Sequence, residues 1–367
     1  MQNIIYVTLS SIMMLTIVWM YFTVVLNIDL NVDMKFTFVL YVLIISGIAF
    51  TYEPTIYTDL YRLFQTLDAM RLYNLEFYNT YEYITSFFFY ITTLSKTNSL
   101  LPLMITFIRY SIFFYCVFLF VKKFNINIRY LKIYLIVFFA FFPIIESISG
   151  IRYYFAVTIF FGILIIQNFI YSSKLLKLGF LLPVFVHSSS VMFIVIKIFS
   201  AIKNKKISFF IKVILLTWFM WQEQILYLLN NFSNPFILYL TNSLTNYLTE
   251  DREISINLTI ARIILLICII LIYKSLKRKD VELFSKYNLY FNFISMYLYF
   301  TLGSVFNSVF FQRNIFFLAV CTMPLILLFL NSKSINTGYK AVISFILLCL
   351  SFLMYLNQLY GFINGYF

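Results

Sequence analysis

The chain has 367 residues, of which 62% are hydrophobic and only 11% are charged, and its formal net charge is +13. Soluble domains hold about 45–50% apolar and about 25% charged residues, so this composition excludes a soluble protein. Apolar stretches of roughly 20 residues recur, each long enough to cross a ~30 Å hydrocarbon core. The sequence therefore predicts an all-α, polytopic membrane protein with a single transmembrane domain over residues 1–367.

Ten apolar segments are predicted to cross the membrane. In chain order they are 4–26, 36–51, 99–121, 131–149, 151–171, 209–230, 257–273, 286–306, 309–331 and 340–358. The segment 83–95 is too short for a crossing and is expected to lie on or in the outer leaflet. Residues 178–200 have lysines on both sides and are expected to fold back as a re-entrant hairpin.

The distribution of basic residues predicts the orientation of these segments. With the N-terminus outside, 19 of the 27 basic residues, including nearly every lysine, lie in cytoplasmic loops or helix ends. The outside loops are then 52–98, which contains an amphipathic stretch typical of an interfacial helix, and the asparagine-rich 231–256, a candidate lid. A rival topology starts inside, makes 83–95 a crossing and moves loop 52–82 to the cytoplasm.

The net positive charge is explained by the basic residues that are concentrated in the loops on the cytoplasmic side of the membrane. No glycine-rich phosphate loop, helix-turn-helix pattern or repeat of aromatic and basic residues accompanies it, so nucleic-acid binding is not expected. No cluster of cysteine and histidine has the spacing of zinc ligands, so no metal site is predicted.

His187 is the only histidine of the chain, and it lies inside an apolar segment just before three serines. A charge within the bilayer costs about 2.5–3.5 kcal/mol on insertion scales, so an ionisable group at membrane depth is a candidate site by default. Serines suit the turn of a hairpin that lines a polar cavity, where His187 could take a proton from a hydroxyl group. The alternative is a neutral, hydrogen-bonded histidine in the core.

Two arginines are expected near the outer ends of spans. Arg152 follows Gly150, which permits a tight turn, and Arg313 lies between Gln312 and Asn314. Two guanidinium groups can hold a diphosphate in a forked geometry. The alternatives are arginines that snorkel to the interface or, for Arg152, an ion pair with Glu146.

Other ionisable residues have weaker signals. Asp59 and Arg62 stand three residues apart, as in an ordinary ion pair on an exposed helix. Arg109 and Arg262 lie within spans, where they could line a cavity or pair with Glu223.

Several segments resemble the EpsG-like branch of the Wzy-type exopolysaccharide polymerases. These are "SGIAFTYEPTIYTDLYRLF" early in the chain, "SGIRYYFAV" at the turn before Arg152, "HSSSVMFI" from His187, and "FFQRNIFF" around Arg313. Their order and spacing agree with that family over nearly the whole chain. The early segment lacks the Arg-Tyr pair and the glycine that usually precede the aspartate corresponding to Asp59.

The resemblance implies a membrane glycosyltransferase with a GT-C-like fold. Such enzymes join oligosaccharide repeat units, carried on undecaprenyl diphosphate, into capsule, exopolysaccharide or O-antigen at the outer face of the bacterial cytoplasmic membrane. It implies His187 as the catalytic residue and Arg152 and Arg313 as diphosphate ligands. Further substrate-binding candidates are Asp59, Arg62, Arg109, Glu146, Tyr154 and Arg262.

The resemblance implies no metal and no cofactor. The expected partners are lipid-linked oligosaccharides as donor and acceptor, membrane lipids, a chain-length regulator and a flippase. Two other classes of protein stay open: a flippase or transporter for lipid-linked oligosaccharides, which would also present arginines to a diphosphate, and a membrane acyltransferase, which would also use a lone histidine. A related ligase or transferase is a third alternative.

Overall fold

The computed structural model describes residues 2–26, 33–56, 58–74, 81–231, 234, 235, 237–239, 241, 242, 245 and 256–363. All regular structure in these ranges is helical, which confirms the all-α fold class. Seven helices in the described ranges are long and apolar enough to cross a membrane, or eight if the bent pair Ser308–Cys321 and Met323–Asn331 is one span. The protein is therefore a helical membrane protein, and the predicted ten crossings are not confirmed.

Two of the ten predicted spans are shorter than expected. The segment 131–149 is divided at Pro143 into Ile128–Phe141 and Ile144–Ser149, because proline disfavours helical geometry in the residue before it. The segment 286–306 forms a 16-residue helix, Asn288–Gly303. Neither reaches the roughly 20 residues of a typical spanning helix.

The helices fall into two compact units, and a single transmembrane domain over the whole chain stays a prediction. The first unit comprises Met1–His187 and Tyr355–Phe367, and the second comprises Ser188–Met354.

Within the described residues, the first unit contains nine α-helices before His187. They are α1 (Gln2–Val25), α2 (Met34–Thr51), α3 (Asp59–Tyr73), α4 (Tyr83–Thr93), α5 (Leu100–Phe124), α6 (Ile128–Phe141), α7 (Ile144–Ser149), α8 (Ile151–Ile165) and α9 (Lys174–Gly179). Helix α2 packs on α1 and α5, and α5 packs on α8. The core between them is aromatic: Phe113 stacks on Phe138 with the ring centroids 4.0 Å apart.

The amphipathic stretch after Pro54 forms α3, as predicted. Thr58 accepts a hydrogen bond from the Tyr61 N–H and so caps its N-terminus. The apolar face of α3 is buried within the protein, through Leu60, Leu63, Leu67 and Met70. Its placement at a membrane interface stays a prediction.

Helix α4 covers the segment that was predicted not to cross. It has 11 residues, which span about 16 Å at 1.5 Å per residue. This length is about half of a hydrocarbon core and argues against the rival topology with a crossing here. Arg71 of α3 holds its end, because the guanidinium donates to the Thr92 and Ser95 carbonyls, each at 3.1 Å.

The predicted hairpin region contains only short helices. After α9 come one 3₁₀ turn at Leu182–Phe185, another at Ser188–Ser190, and the helix α10 (Val191–Ser200). His187 lies at the break between the two 3₁₀ turns, as the sequence led us to expect. That both ends of the hairpin lie on one side of the membrane stays a prediction.

The helices with described bounds in the second unit are α10 and eight further helices. They are α11 (Lys205–Thr217), α12 (Gln222–Asn230), α13 (Ile256–Lys279), α14 (Val281–Lys286), α15 (Asn288–Gly303), α16 (Ser308–Cys321), α17 (Met323–Asn331) and α18 (Thr337–Ile363), whose end belongs to the first unit. Helices α10 and α11 pack on α15. Gly303 allows this, because a Cβ there would lie 2.5 Å from the Leu215 carbonyl oxygen. The candidate lid at 231–256 falls largely outside the described residues.

Candidate functional site

Arg152 is the second residue of α8 and follows directly on a tight turn. The turn is closed by a hydrogen bond of 2.8 Å from the Gly150 N–H to the Glu146 carbonyl. A Cβ at position 150 would lie 3.1 Å from the Tyr154 ring, so the small residue lets the ring pack against the turn. This packing fixes where α8 begins and hence the position of the Arg152 side chain.

The Arg152 guanidinium bridges two carboxylates from different parts of the chain. Its Nη1 lies 3.2 Å from Oε2 of Glu82, the residue before α4. Its Nη2 lies 3.2 Å from Oδ1 and 3.4 Å from Oδ2 of Asp59, the first residue of α3. One arginine therefore ties the starts of three helices together.

His187 joins the same group of charges through Glu82. The imidazole Nδ1 lies 3.2 Å from Oε1 of Glu82, and the edge of the ring meets Tyr153, with the centroids 6.2 Å apart. The loop before His187 is held on α4, because the Thr85 hydroxyl donates to the Val186 carbonyl at 2.7 Å. We call Asp59, Glu82, Arg152 and His187 the ion cluster.

Exposure within the ion cluster is lowest at Glu82 and highest at Asp59. Glu82 is 1% exposed, His187 8%, Arg152 16% and Asp59 36%, measured on the side chains. Buried charges are tolerated only when they are paired, and both oxygens of Glu82 have a partner of the opposite sign or a proton donor. Asp59 thus marks the side from which a polar ligand could reach the cluster.

The charges around Arg152 differ from the prediction that its guanidinium is available to bind a diphosphate. Arg152 neither snorkels alone nor offers two unoccupied Nη groups, since each Nη already faces a carboxylate. With both carboxylates ionised, the cluster carries no excess positive charge. Arg152 is therefore suited to holding the carboxylates in place, and binding of a diphosphate would require one of them to give way.

Sequence reasoning missed Glu82, which connects the other members of the ion cluster. It lies 70 residues before Arg152 and 105 before His187, so no spacing rule could pair them. One signal was present: Glu82 directly precedes an apolar stretch too short to cross. An acidic residue directly before such a short apolar segment indicates a charge that enters the protein together with a helix of half the membrane thickness.

Four of the weaker candidates differ from the prediction or have only a local role. Asp59 pairs with Arg152, and the predicted Asp59–Arg62 ion pair does not form; Arg62 is exposed. Tyr154 is buried, and its ring packs edge-on against Phe142, 4.9 Å between centroids. Glu146 lies in α7 and contributes its carbonyl to the turn before Arg152.

Arg109 supports the site without belonging to the ion cluster. It is 1% exposed on α5, and its guanidinium donates to the backbone carbonyl of Ser147 and, at 2.9 Å, to the Ser147 hydroxyl. It also lies over the Tyr110 ring, 4.6 Å from the centroid. Because Ser147 is in α7, this contact anchors the segment that leads into Gly150 and Arg152.

The remaining candidates lie in the second unit. Arg262 is 3% exposed and lies 5.8 Å from the centre of the Phe316 ring, while Glu223 is exposed on α12 and forms no ion pair with it. Arg313 is partly buried in α16. The next residue, Asn314, accepts a hydrogen bond from the Tyr297 hydroxyl at 2.7 Å.

The described residues contain no group of three or more histidine, cysteine, aspartate or glutamate side chains placed to hold a metal ion. What the ion cluster offers chemically is a histidine nitrogen, two carboxylates and a bridging guanidinium. These groups can orient a hydroxyl group and transfer a proton.

The fold and the site thus define a helical membrane protein with a partly buried ion cluster. Comparison of the chain with protein family models, with curated proteins and with solved structures gives no match.

Proposed function

We propose that the protein is a glycosyltransferase of the bacterial cytoplasmic membrane that joins undecaprenyl-diphosphate-linked oligosaccharide units into a surface polysaccharide. The observation that carries the proposal is the ion cluster: His187 and Arg152, two residues of the polymerase-like segments, share the carboxylate of Glu82. Residues that are 35 positions apart in the chain therefore meet in one polar group within a membrane protein.

The proposed reaction transfers a growing glycan to a new unit. The hydroxyl oxygen of the acceptor sugar forms a bond to C1 of the donor sugar, and the bond between C1 and the diphosphate oxygen breaks. Undecaprenyl diphosphate leaves with the electron pair, and the hydroxyl proton passes to His187 and then to water. His187 serves as the base or orients the hydroxyl, and Arg152 keeps the carboxylates of Glu82 and Asp59 in place.

Arg313 is proposed as a ligand of the leaving diphosphate. An arginine offers paired N–H groups that match phosphate oxygens, and the charge on the diphosphate grows as the bond to C1 breaks. Arg313 belongs to the second unit, and its joint action with Arg152 on one diphosphate stays a prediction.

The charges of the first unit support a site that faces outward. Lys35 is in the first turn of α2, Lys122 and Lys123 end α5, and Arg129 and Lys132 begin α6. The ion cluster lies at the other end of these helices, beyond the end of α2 and at the start of α8. Since lysine and arginine favour the cytoplasmic side, the cluster end is expected outside.

A labelling experiment tests this orientation. Single cysteines are placed at Glu53, Asn204, Asn234 and Asn331 in a Cys349→Ser background, because the other three native cysteines are buried. We expect Glu53→Cys and Asn234→Cys to react with a membrane-impermeant thiol reagent in intact cells. Asn204→Cys and Asn331→Cys should react only after lysis. Labelling of Asn204→Cys in intact cells would contradict the proposed hairpin.

The function itself is tested by deletion of the gene and analysis of the surface glycans. Loss of a polymerase should leave one glycan shortened to a single repeat unit, still exported and attached to its lipid. Loss of a flippase would remove that glycan from the surface entirely, and loss of an acyltransferase would leave its length unchanged. An unaltered length distribution of every surface glycan would refute the proposal.

A further inference from the structure

Glu82 is placed for a task other than the one that its position in the helix suggests. It is the residue before the first turn of α4, where an acidic side chain would normally cap the helix. Its side chain makes no capping hydrogen bond; only its carbonyl takes part, accepting from the Ser86 N–H at 2.8 Å. The carboxylate turns inward instead and is 1% exposed.

Each oxygen of this carboxylate has its own partner. Oε2 faces Nη1 of Arg152, and Oε1 faces Nδ1 of His187, both at 3.2 Å. An arginine stays protonated, and its proximity favours the ionised carboxylate. An ionised carboxylate only accepts hydrogen bonds, so Nδ1 of His187 must carry the hydrogen. In the neutral imidazole, the basic lone pair is then on Nε2.

We infer that Glu82 is the positioning residue of this site, which sets the tautomer of His187 and locks it to Arg152. The inference rests on the proposed function for its consequence, namely that Nε2 is the nitrogen that receives the acceptor's proton. The contact itself is independent of that function. Because a single carboxylate holds both the guanidinium and the imidazole, a displacement of Arg152 also displaces the imidazole.

The chemistry of the amide explains why glutamine cannot replace Glu82. A glutamine has one acceptor oxygen and one donor NH₂ group. The oxygen must face Arg152, whose nitrogens only donate, and the NH₂ group then faces Nδ1 of His187. Nδ1 becomes the acceptor and the hydrogen moves to Nε2, which removes the basic lone pair from the side proposed for catalysis. Glu82→Gln therefore inverts the tautomer at nearly constant volume.

The lone histidine makes this inversion directly measurable. Protein labelled with ¹⁵N-histidine gives imidazole signals from His187 alone, since the chain has one histidine. At about pH 9, above the ordinary imidazole pKa of about 6.5, we expect the wild-type ring to carry its proton on Nδ1. We expect Glu82→Gln to carry it on Nε2. Glu53→Gln, the same substitution at an exposed glutamate, should leave the wild-type pattern unchanged.

The groups that face His187 include Glu82 before α4 and Tyr153 on α8, with Arg152 and Asp59 behind the carboxylate. Of these, only Glu82 is changed in this comparison. Titration of the wild-type protein and of Glu53→Gln over the same pH range controls for their ionisation.

Activity supplies the second measurement. Polymerisation of lipid-linked units in membranes should fall on the order of 10²-fold in Glu82→Gln, the low end of what loss of a general base costs. The amount of protein in the membrane should stay at the wild-type level. Glu82→Asp, which keeps the acceptor oxygens but is one methylene shorter, should retain the wild-type tautomer in part and recover part of the rate.

The outcomes separate the inference from the proposed function. A wild-type ring protonated on Nε2, or an unchanged tautomer in Glu82→Gln, overturns the inference, and the wild-type spectrum decides even if that variant does not fold. An inverted tautomer with full polymerisation also overturns it, because the contact then has no catalytic role. Wild-type protein with the Nδ1–H tautomer but no polymerase activity would instead refute the proposed function.

Discussion

His187→Ala should lower polymerisation by about 10²–10⁴-fold, because loss of a general base typically costs this much. Cells that carry the variant should accumulate single lipid-linked repeat units and make little polymer, which gel analysis of the extracted glycan would measure. The protein level should stay normal, since the alanine leaves Glu82 paired with Arg152. His187 is the only histidine of the chain. If the rate of polymerisation changes with pH at about 6–7 in the wild type but not in this variant, that pH dependence is therefore due to His187.

His187→Gln separates proton transfer from orientation. Glutamine can still accept or donate a hydrogen bond but takes up no proton near neutral pH. A rate close to that of His187→Ala indicates proton transfer, and a substantially higher rate indicates that orientation of the hydroxyl is enough. Lys203→Ala, an exposed change beyond α10, is the control. Polymer of wild-type length in His187→Ala would show that this is a structural histidine.

Arg152→Lys should also reduce polymerisation strongly, by roughly 10²-fold, although the charge is kept. Lysine presents one ammonium group and cannot bridge Asp59 and Glu82 with two separate nitrogens. Loosening of either carboxylate misplaces the imidazole, and a displacement of about 1 Å can cost about 10²-fold in rate. Chain length and amount of polymer are compared at equal protein levels in the membrane.

Arg129→Lys is the matched control for this variant. Arg129 is an exposed arginine at the other end of the first unit, where a point charge suffices. The Arg129→Lys variant should polymerise at the wild-type rate. If Arg152→Lys did the same, the bridge between the two carboxylates would have no role in the reaction.

The sequence predicted the elements that depend on local pattern. The length of the apolar segments indicated the membrane helices, and the spacing of apolar residues indicated α3. The lysines on both sides of residues 178–200 and the three serines after His187 indicated a break in the helix at His187. It could not give the partners of Arg152, because Asp59 and Glu82 reach it only through the packing of α3 and α4 on their neighbours. The prediction of an Asp59–Arg62 pair was wrong for the same reason: the tertiary partner replaced the local one.

The ten predicted spans show a second limit of hydropathy. A window average does not detect that Pro143 divides an apolar segment or that Asn288–Gly303 has only 16 residues. The sequence indicated that Arg109 is a charge within the membrane. Its partners are the backbone carbonyl and the hydroxyl of Ser147 in α7, and no sequence pattern predicts such a contact.

The contact between Arg109 and Ser147 fixes the depth of the ion cluster. Arg109 lies nine residues after the start of α5, about 14 Å along that helix, and it touches the segment that leads directly into α8. Phe161 and Gly162 of α8 lie beside Phe113 and Cys116 of α5, so α8 begins about one turn along α5 from the start of that helix. Because the His187 side chain is 8% and the Glu82 side chain 1% exposed, the proposed transferase would meet less competing water at the imidazole than an enzyme with its base on an open surface. A sugar hydroxyl delivered on a lipid would then have the advantage over hydrolysis, which would end the chain instead of extending it.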